Sequence, residues 1–455
     1  MRILLISLNR LQFPYPVHPI GLDYVAGALA PAHVVQILDL CPLGEAEIGK
    51  AIAAAVREFT PGAVGLSIRN VDNLDATDLR AFLGEMHAAV THVRTATAAP
   101  IVLGGAGFTL FPAELMDALG ADHGVVGEGE RARALFDALD SGSPVEGLPG
   151  VVRRGGRTPA PQRGGNCGAP LRAPPSGNPS LQFYLQRGGI LGLQTQRGCA
   201  FRCIYCTYPR IEGGRPRHFE PDAVAREARR LEEAGASFLF LTDSVFNGDP
   251  GHSLAVADAF RRVRLRIPWG AFFAPVPMPD DFYGSMARAG CTHAEFGTES
   301  LSNSMLPRLG KTFSRANVLS AHAAAQRAGL HVAHFLLLGG PDETAATVGE
   351  TLDGCERLEG AALFFMCGMR VYPGTGVERL ARAAGQVTPG QNLLCPVFYE
   401  PPALSLRDVA ALVQHRAGGH PNWIVGAGAE RAAAILTRLH QRGHKGPLWE
   451  RLAAA

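Results

Sequence analysis

The sequence predicts an α/β protein built as two layered units. A doubly wound parallel sheet comes first, then a partial (β/α)6 barrel, and a small, mainly helical C-terminal region closes the chain. Three observations carry this. Short apolar runs alternate with longer amphipathic stretches over the first 140 residues; the alternation breaks in a segment rich in Pro, Gly and Arg; it resumes from Ile190. At 455 residues the chain is too long for one ordinary domain. The expected division is a first domain at 1–140, a linker at 141–185, a barrel at 186–385 and a helical cap at 386–455.

Taken in order, strands are expected at Arg2 to Leu8, Val34 to Leu38, Ala63 to Ile68, Pro100 to Leu103 and Asp122 to Val126. The helical stretches between and after them are Gly21 to Leu29, Glu45 to Phe59, Asp75 to Val93, Ala113 to Leu119 and Glu130 to Leu139. Five such units joined by right-handed crossovers make a Rossmann-like sheet, whose ligands bind at the carboxyl ends of the strands. Ser141 to Ser180, with Pro174-Pro175 and repeated Gly-Gly pairs, reads as linker. Barrel strands are expected at Leu191 to Gln196, Phe238 to Leu241, Trp269 to Ala274, His293 to Gly297, Val332 to Leu338 and Ala362 to Met366. Helices fall between them, notably Pro221 to Ala234, His252 to Arg264, Arg315 to Ala328 and Glu343 to Leu358. Six units suit an open, TIM-like barrel with its functional groups on the loops after the strands. Leu406 to His415 and Glu430 to Gln441 are helical stretches of the cap, where Trp423 suits core packing, with a substrate pocket as the alternative.

Composition excludes some classes. Hydrophobic residues make up 47% and charged residues 18%, as in a core-forming globular chain, and a net charge of +2 gives no reason to expect nucleic acid as a partner. No stretch reaches the length of a membrane span, and the apolar opening is too short for a signal peptide, so a cytoplasmic location is expected. Of nine cysteines, Cys41, Cys167, Cys291, Cys355, Cys367 and Cys395 are scattered, which is no disulfide framework.

The other three are not scattered. Arg197 to Cys206 reads RGCAFRCIYC, placing Cys199, Cys203 and Cys206 in a C-x-x-x-C-x-x-C run just after the first barrel strand. Three thiolates in one short loop can hold three irons of a 4Fe–4S cluster and leave the fourth open. The alternative is structural zinc, which wants a fourth ligand; no second C-x-x-C pair lies nearby, and His218 is a poor candidate. The run, Tyr205 included, resembles the signature of the radical S-adenosylmethionine (SAM) enzymes. The resemblance implies that the open iron chelates the amino and carboxylate groups of SAM. It points to Glu299, then Ser244 and Asp243, as partners of the ribose and amino group, and to Gly339 and Gly340 beside the adenine. Tyr205 would pack on adenine or cluster, and Arg370 and Tyr372 would lie near substrate. Asp243, Ser244 and Glu299 equally suit helix caps, and Tyr205 a loop closure.

The first domain resembles the cobalamin-binding domain that precedes many radical SAM domains. The likeness rests on small residues after the strands, Gly104 to Thr109 and Gly127 to Glu130, where Gly104, Gly105, Gly127 and Glu128 would approach the cofactor. An ordinary tight turn also explains each glycine. The Asp-x-His-x-x-Gly segment that supplies a cobalt ligand in many relatives is missing, and His123 has the wrong spacing. Arg69 or Asn70, after the third strand, would lie near the lower face; a solvent or inter-domain contact is the other reading. A dinucleotide fingerprint is absent, and Gly310-Lys311-Thr312 fails as a P-loop because the first glycine would fall at Met305.

Together these resemblances imply a cobalamin-dependent radical SAM enzyme, most simply a C-methyltransferase acting on an unactivated carbon of a small-molecule or lipid substrate. Such chemistry needs an electron donor such as a flavodoxin or ferredoxin. A cyclase or rearrangement enzyme and a non-catalytic redox or cobalamin sensor are the alternatives. No catalytic side chain is assigned from the sequence.

Overall fold

A computed structural model describes residues 1–12, 15–161, 163–164, 168–170, 172–174, 177–426 and 429–453. Cys167 and parts of the expected linker lie outside the described residues.

The first sheet contains β1 (Arg2–Ser7), β2 (Val34–Asp39), β3 (Ala63–Ser67), β4 (Ile101–Gly104), β5 (His123–Val125) and β6 (Val151–Arg153), in the order β2-β1-β3-β4-β5-β6. The first five run parallel; β6, from the stretch expected to be linker, adds an antiparallel edge with Val152 opposite Gly124. The apolar run of β1 is buried on both faces because helices cover both. Leu4 and Ile6 pack with residues of helices Glu45–Phe59 and Leu83–Ala96, whereas Ile3 and Leu5 pack with helices Ile20–Leu29 and Ala132–Ser141. The chain leaves β1 toward β2 on one side and continues at β3 on the other. This reversal opens a crevice above Ser7 and Ser67.

One expected helix starts late. Helix Leu83–Ala96 replaces the predicted Asp75 to Val93. The Asp75 carboxylate accepts from the Thr77 N–H and hydroxyl and from the Asp78 N–H, and Asp72 bridges to Ala81. These Asp turns give the backbone a local alternative to the helix.

The second unit opens with β7 (Ile190–Leu193), followed by a short antiparallel ribbon of β8 (Gln196–Arg197) and β9 (Arg217–His218). Then come β10 (Phe238–Leu241), β11 (Trp269–Phe273), β12 (Cys291–Glu299), β13 (His331–Leu338) and β14 (Ala362–Cys367). A second ribbon pairs β15 (Met369–Arg370) with β16 (Phe398–Tyr399), and β17 (Trp423–Val425) ends the series. The main sheet runs β17-β14-β13-β12-β11-β10-β7, all parallel. It therefore has seven strands, one more than expected, because β17 belongs to the sheet and not to a helical cap. Trp423 tilts against Phe365 at 5.1 Å and stacks on His420 at 4.4 Å, which is core packing.

The strand expected to run from Leu191 to Gln196 also breaks. The Asp243 carboxylate, at the end of β10, accepts from the Thr195 N–H (2.8 Å), the Thr195 hydroxyl (2.6 Å) and the Gln196 N–H (3.1 Å). This pulls the chain out of the sheet and into the cysteine loop.

The two units are joined by buried charge. Arg370 pairs with Asp72 at 2.9 Å and donates to the carbonyls of Val371 and Leu393. Arg370 is thus fully engaged, which corrects its assignment to substrate. Arg172 pairs with Asp23 on helix Ile20–Leu29 and donates to the Gly192 carbonyl on β7, tying the segment after the first unit to both units.

Candidate functional site

The cysteine loop hangs on two glycines. Gly198 has φ +85, and a Cβ there would lie 2.4 Å from the Arg215 carbonyl oxygen; at Gly310, φ +75, a Cβ would meet the Arg202 carbonyl at the same distance. No L side chain fits either position without moving backbone. The loop closes with hydrogen bonds from the Cys199 N–H to the Gly213 carbonyl and from the Ile204 N–H to the Leu309 carbonyl. Cys199 is buried, and Cys203 and Cys206 are half-buried. Burial, followed by the charges of Cys203 and Cys199, pushes the Cys206 thiol up to about 12. The thiols thus sit within electrostatic reach of one another, as a set that ionises only against a cationic cluster would. Among the described residues no three His, Cys, Asp or Glu side chains converge on a single ion. The loop offers three soft donors. His218 stacks on His252 at 4.1 Å instead of turning to the thiols.

Above the loop lies a small charged cluster. Tyr205 donates its hydroxyl to Glu299 Oε1 at 2.7 Å, and Lys311 Nζ stands 2.6 Å from Glu299 Oε2. Glu299 sits in left-handed backbone, φ +57, where the pairing of β12 with β13 shifts register after Gly297. This local strain turns its carboxylate to the barrel mouth. Burial alone would pull the Lys311 ammonium down, but the charges of Glu299 and Cys203 outweigh it and hold it above its usual value. From the sequence, Lys311 stands out only as part of a failed P-loop. The signal for it is rarity: three lysines stand among 43 basic residues.

The other expected SAM partners divide. Ser244 donates to Glu212 Oε2 at 3.3 Å; Glu212 also accepts from the Gly198 N–H and from Gln194, so it braces the loop and was missed from sequence. Asp243 spends its oxygens on Thr195 and Gln196, as described above. Burial raises its carboxyl to about 7 against those hydrogen bonds. Gly339 and Gly340 face the chain itself: a Cβ at Gly339 would lie 2.4 Å from Leu406, and one at Gly340 would lie 3.1 Å from Leu309.

A cleft of about 500 Å³ separates the carboxyl edge of the first sheet from the mouth of the second. Gly104, Gly105 and Gly127 line one side, and Gln194, Thr242 and Tyr208 line the other. A Cβ at Gly104 would touch nothing within 4 Å, so this backbone opens on the cleft, whereas one at Gly105 would strike the Ile68 carbonyl oxygen at 2.4 Å. Arg69 and Asn70 also line the cleft. Arg69 is exposed and has neither hydrogen bond nor ion pair among the described residues, though its charge reaches Tyr15, Cys41 and Tyr208. Glu128 is committed elsewhere: it pairs with Arg217 and Arg197 and accepts from the Gly164 N–H at 2.6 Å. Burial would raise its carboxyl, but those partners outweigh burial and hold it low. His123, on β5, does not line the cleft.

Comparison with known proteins fits this geometry. The B12 binding domain family matches residues 6–136, and the Radical SAM superfamily matches residues 193–355. A tryptophan 2-C-methyltransferase of Streptomyces laurentii is 27% identical over 442 residues, covering 82% of this chain and 73% of that protein. An uncharacterized methyltransferase of Pyrococcus horikoshii is 26% identical, covering 80% of this chain and 78% of its own. The fold matches the radical SAM methyltransferase TsrM of Kitasatospora setae, solved with tryptophan and a SAM analogue, at a TM-score of 0.86 and 24% identity, over 100% of this chain and 98% of that one. The fold and site define an enzyme with one unit for a corrin and one for a sulfonium cosubstrate. The chain belongs to the cobalamin-binding radical SAM enzymes, whose cofactors are a 4Fe–4S cluster, SAM and cobalamin.

Proposed function

We propose that this enzyme is a cobalamin-dependent radical SAM C-methyltransferase acting on a small molecule. The observation that carries the reading is the shared cleft: Gly104 of the first sheet and Tyr208, two residues beyond Cys206, line the same space. When bound, the cluster, SAM and cobalamin supply a transferable methyl group and one-electron chemistry.

The chain's own groups bind and orient. Cys199, Cys203 and Cys206 hold the cluster as thiolates. Lys311 and Glu299, one cation and one anion 2.6 Å apart, match the carboxylate and amino group of SAM. On this reading their mutual ion pair opens when SAM arrives, and Tyr205 keeps Glu299 aimed. Asp243, Ser244 and Glu212 act one step back, by fixing the turn into the loop. Gly104, Gly127, Arg69 and Asn70, which line the cleft, would be the residues that hold the corrin, the glycines by bare backbone and the other two by polar side chains. Glu128 acts indirectly, by holding Arg197 and Arg217. An external donor such as a flavodoxin or ferredoxin supplies the electron. Eight free cysteines among the described residues suit a reducing, cytoplasmic setting. Among those residues no helix is long and apolar enough to cross a membrane.

The test is anaerobic reconstitution with iron, sulfide and corrinoid quantified, then incubation with SAM, reductant and tryptophan as probe. The reading expects S-adenosylhomocysteine and a product heavier by one methylene. Deoxyadenosine without S-adenosylhomocysteine marks a cyclase or rearrangement enzyme; neither product marks a sensor.

A further inference from the structure

The residues assigned above to the three cofactors do not include the interior of the barrel, below the cysteine loop. In a strand successive side chains alternate sides. Ala271, Phe273, Ala294, Phe296, Leu336 and Phe365 pack into the core beneath the helices. Their neighbours Phe272, Glu295, Phe335 and Phe364 therefore point inward, and Phe240 joins them from β10. The phenylalanines form a continuous wall: Phe240 and Phe272 meet edge-on at 4.9 Å, Phe272 and Phe335 at 6.0 Å, and Phe335 stacks on Phe364 at 5.0 Å. Three of these rings are only half-buried, and Met366, two residues beyond Phe364, is 39% exposed. Apolar side chains that point into a barrel and keep this exposure face open space.

One polar group interrupts the wall. Glu295 lies in register with Phe272, is 4% exposed and accepts a single hydrogen bond, from the Trp449 indole N–H at 2.9 Å. Among the described residues no cation pairs with it. Trp449 lies below, packed with Ala333 and Ala362. Tyr15, from the first unit, packs beside Phe238 and Phe240 and stands close enough to feel the charge of Glu295. At ~3.3 Å per residue, Glu295 lies roughly 13 Å along β12 from Glu299. That span fits a small molecule held between the barrel floor and the cofactors. A buried carboxylate without a counter-cation is costly, and burial accordingly pushes the Glu295 carboxyl up to about 7 against the Trp449 hydrogen bond. A cation brought in by a ligand offsets that cost, and aromatic faces attract such a cation further.

We propose that this lumen is the substrate subsite and that it takes a small molecule carrying a protonated amine, the nitrogen paired with Glu295 and the apolar body lying against the phenylalanine wall. The inference rests on the function proposed above and narrows its substrate class. A lipid tail would be driven against an unpaired carboxylate, so the lumen selects against it.

Calorimetric titration of the reconstituted holoenzyme with 2-phenylethylamine and with its neutral counterpart 2-phenylethanol tests this. The wild type should prefer the amine by at least about tenfold. Glu295→Gln, which keeps an acceptor for Trp449, should erase that preference while binding the alcohol as before, and Glu295→Asp should retain it. Iron and corrinoid content equal to wild type shows that the variants are folded. Equal affinity for the two compounds, no binding of either, or an undiminished preference in Glu295→Gln overturns the proposal. Cofactor loading and S-adenosylhomocysteine formation report on the methyltransferase reading separately. An enzyme that loads and turns over yet ignores the amine sinks the subsite alone.

Discussion

The two sheets present opposite kinds of surface at the ends of their strands. Around the cleft the first sheet offers bare backbone, at Gly104, Gly105 and Gly127, and the acidic neighbours there, Asp72, Glu128 and Glu130, are tied up in ion pairs. The second sheet offers buried chemistry: three thiols, the Lys311–Glu299 pair and the carboxyls of Asp243 and Glu212. The difference teaches how each ligand is recognised. On the function proposed above, a large rigid macrocycle would be held by shape and close approach, whereas a cluster and a zwitterionic sulfonium would be held by donors and charge. Removing a side chain should therefore hurt the barrel, and adding one should hurt the first sheet.

The largest expected effect is Cys203→Ala, which leaves two thiols and should abolish bound iron and all turnover, read by iron content and activity. Next comes the joint between the sheets. Asp72→Asn leaves the buried Arg370 charge unpaired and should cost about 3–5 kcal/mol, read by denaturant unfolding. Then the comparison itself can be broken. Gly104→Val projects into open cleft and should lower corrinoid loading at least tenfold (~1.4 kcal/mol or more) with little change in Tm, since no neighbour is struck. If loading survives, the first sheet does not recognise its ligand by close approach. The smallest effect is a pH slope. Burial, then His218, lowers the His252 pKa from 6.5 to about 4, so the ring is neutral when folded. Its contribution is fully present above pH 6.5 and is lost as pH falls from there toward 4. Wild type should lose more thermal stability across that window than His252→Gln, and the difference isolates His252 from His18, which burial also keeps neutral.

What the sequence revealed depended on how local the signal was. The cysteine run, the alternation of apolar and amphipathic segments and the small residues after β4 and β5 are contiguous patterns; the alternation folds into the two sheets, and Gly104, Gly105 and Gly127 line the cleft. β17 was missed because three residues are too short to show a period. Helix Leu83–Ala96 was started early because the side-chain turns at Asp72 and Asp75 compete with helix in a way periodicity does not see. Lys311 and Glu212 meet their partners only after distant segments come together. Arg370 looked like a substrate contact for the same reason: Asp72, which neutralises it, lies 298 positions away.

That last separation bears on how the enzyme is made. The cleft has its far wall only when Gln194, Tyr208 and Thr242 have met the first sheet, and Asp72 waits for Arg370 until most of the polypeptide has left the ribosome. A fragment that stops before Gln194 should thus be a poor corrin acceptor even if it folds.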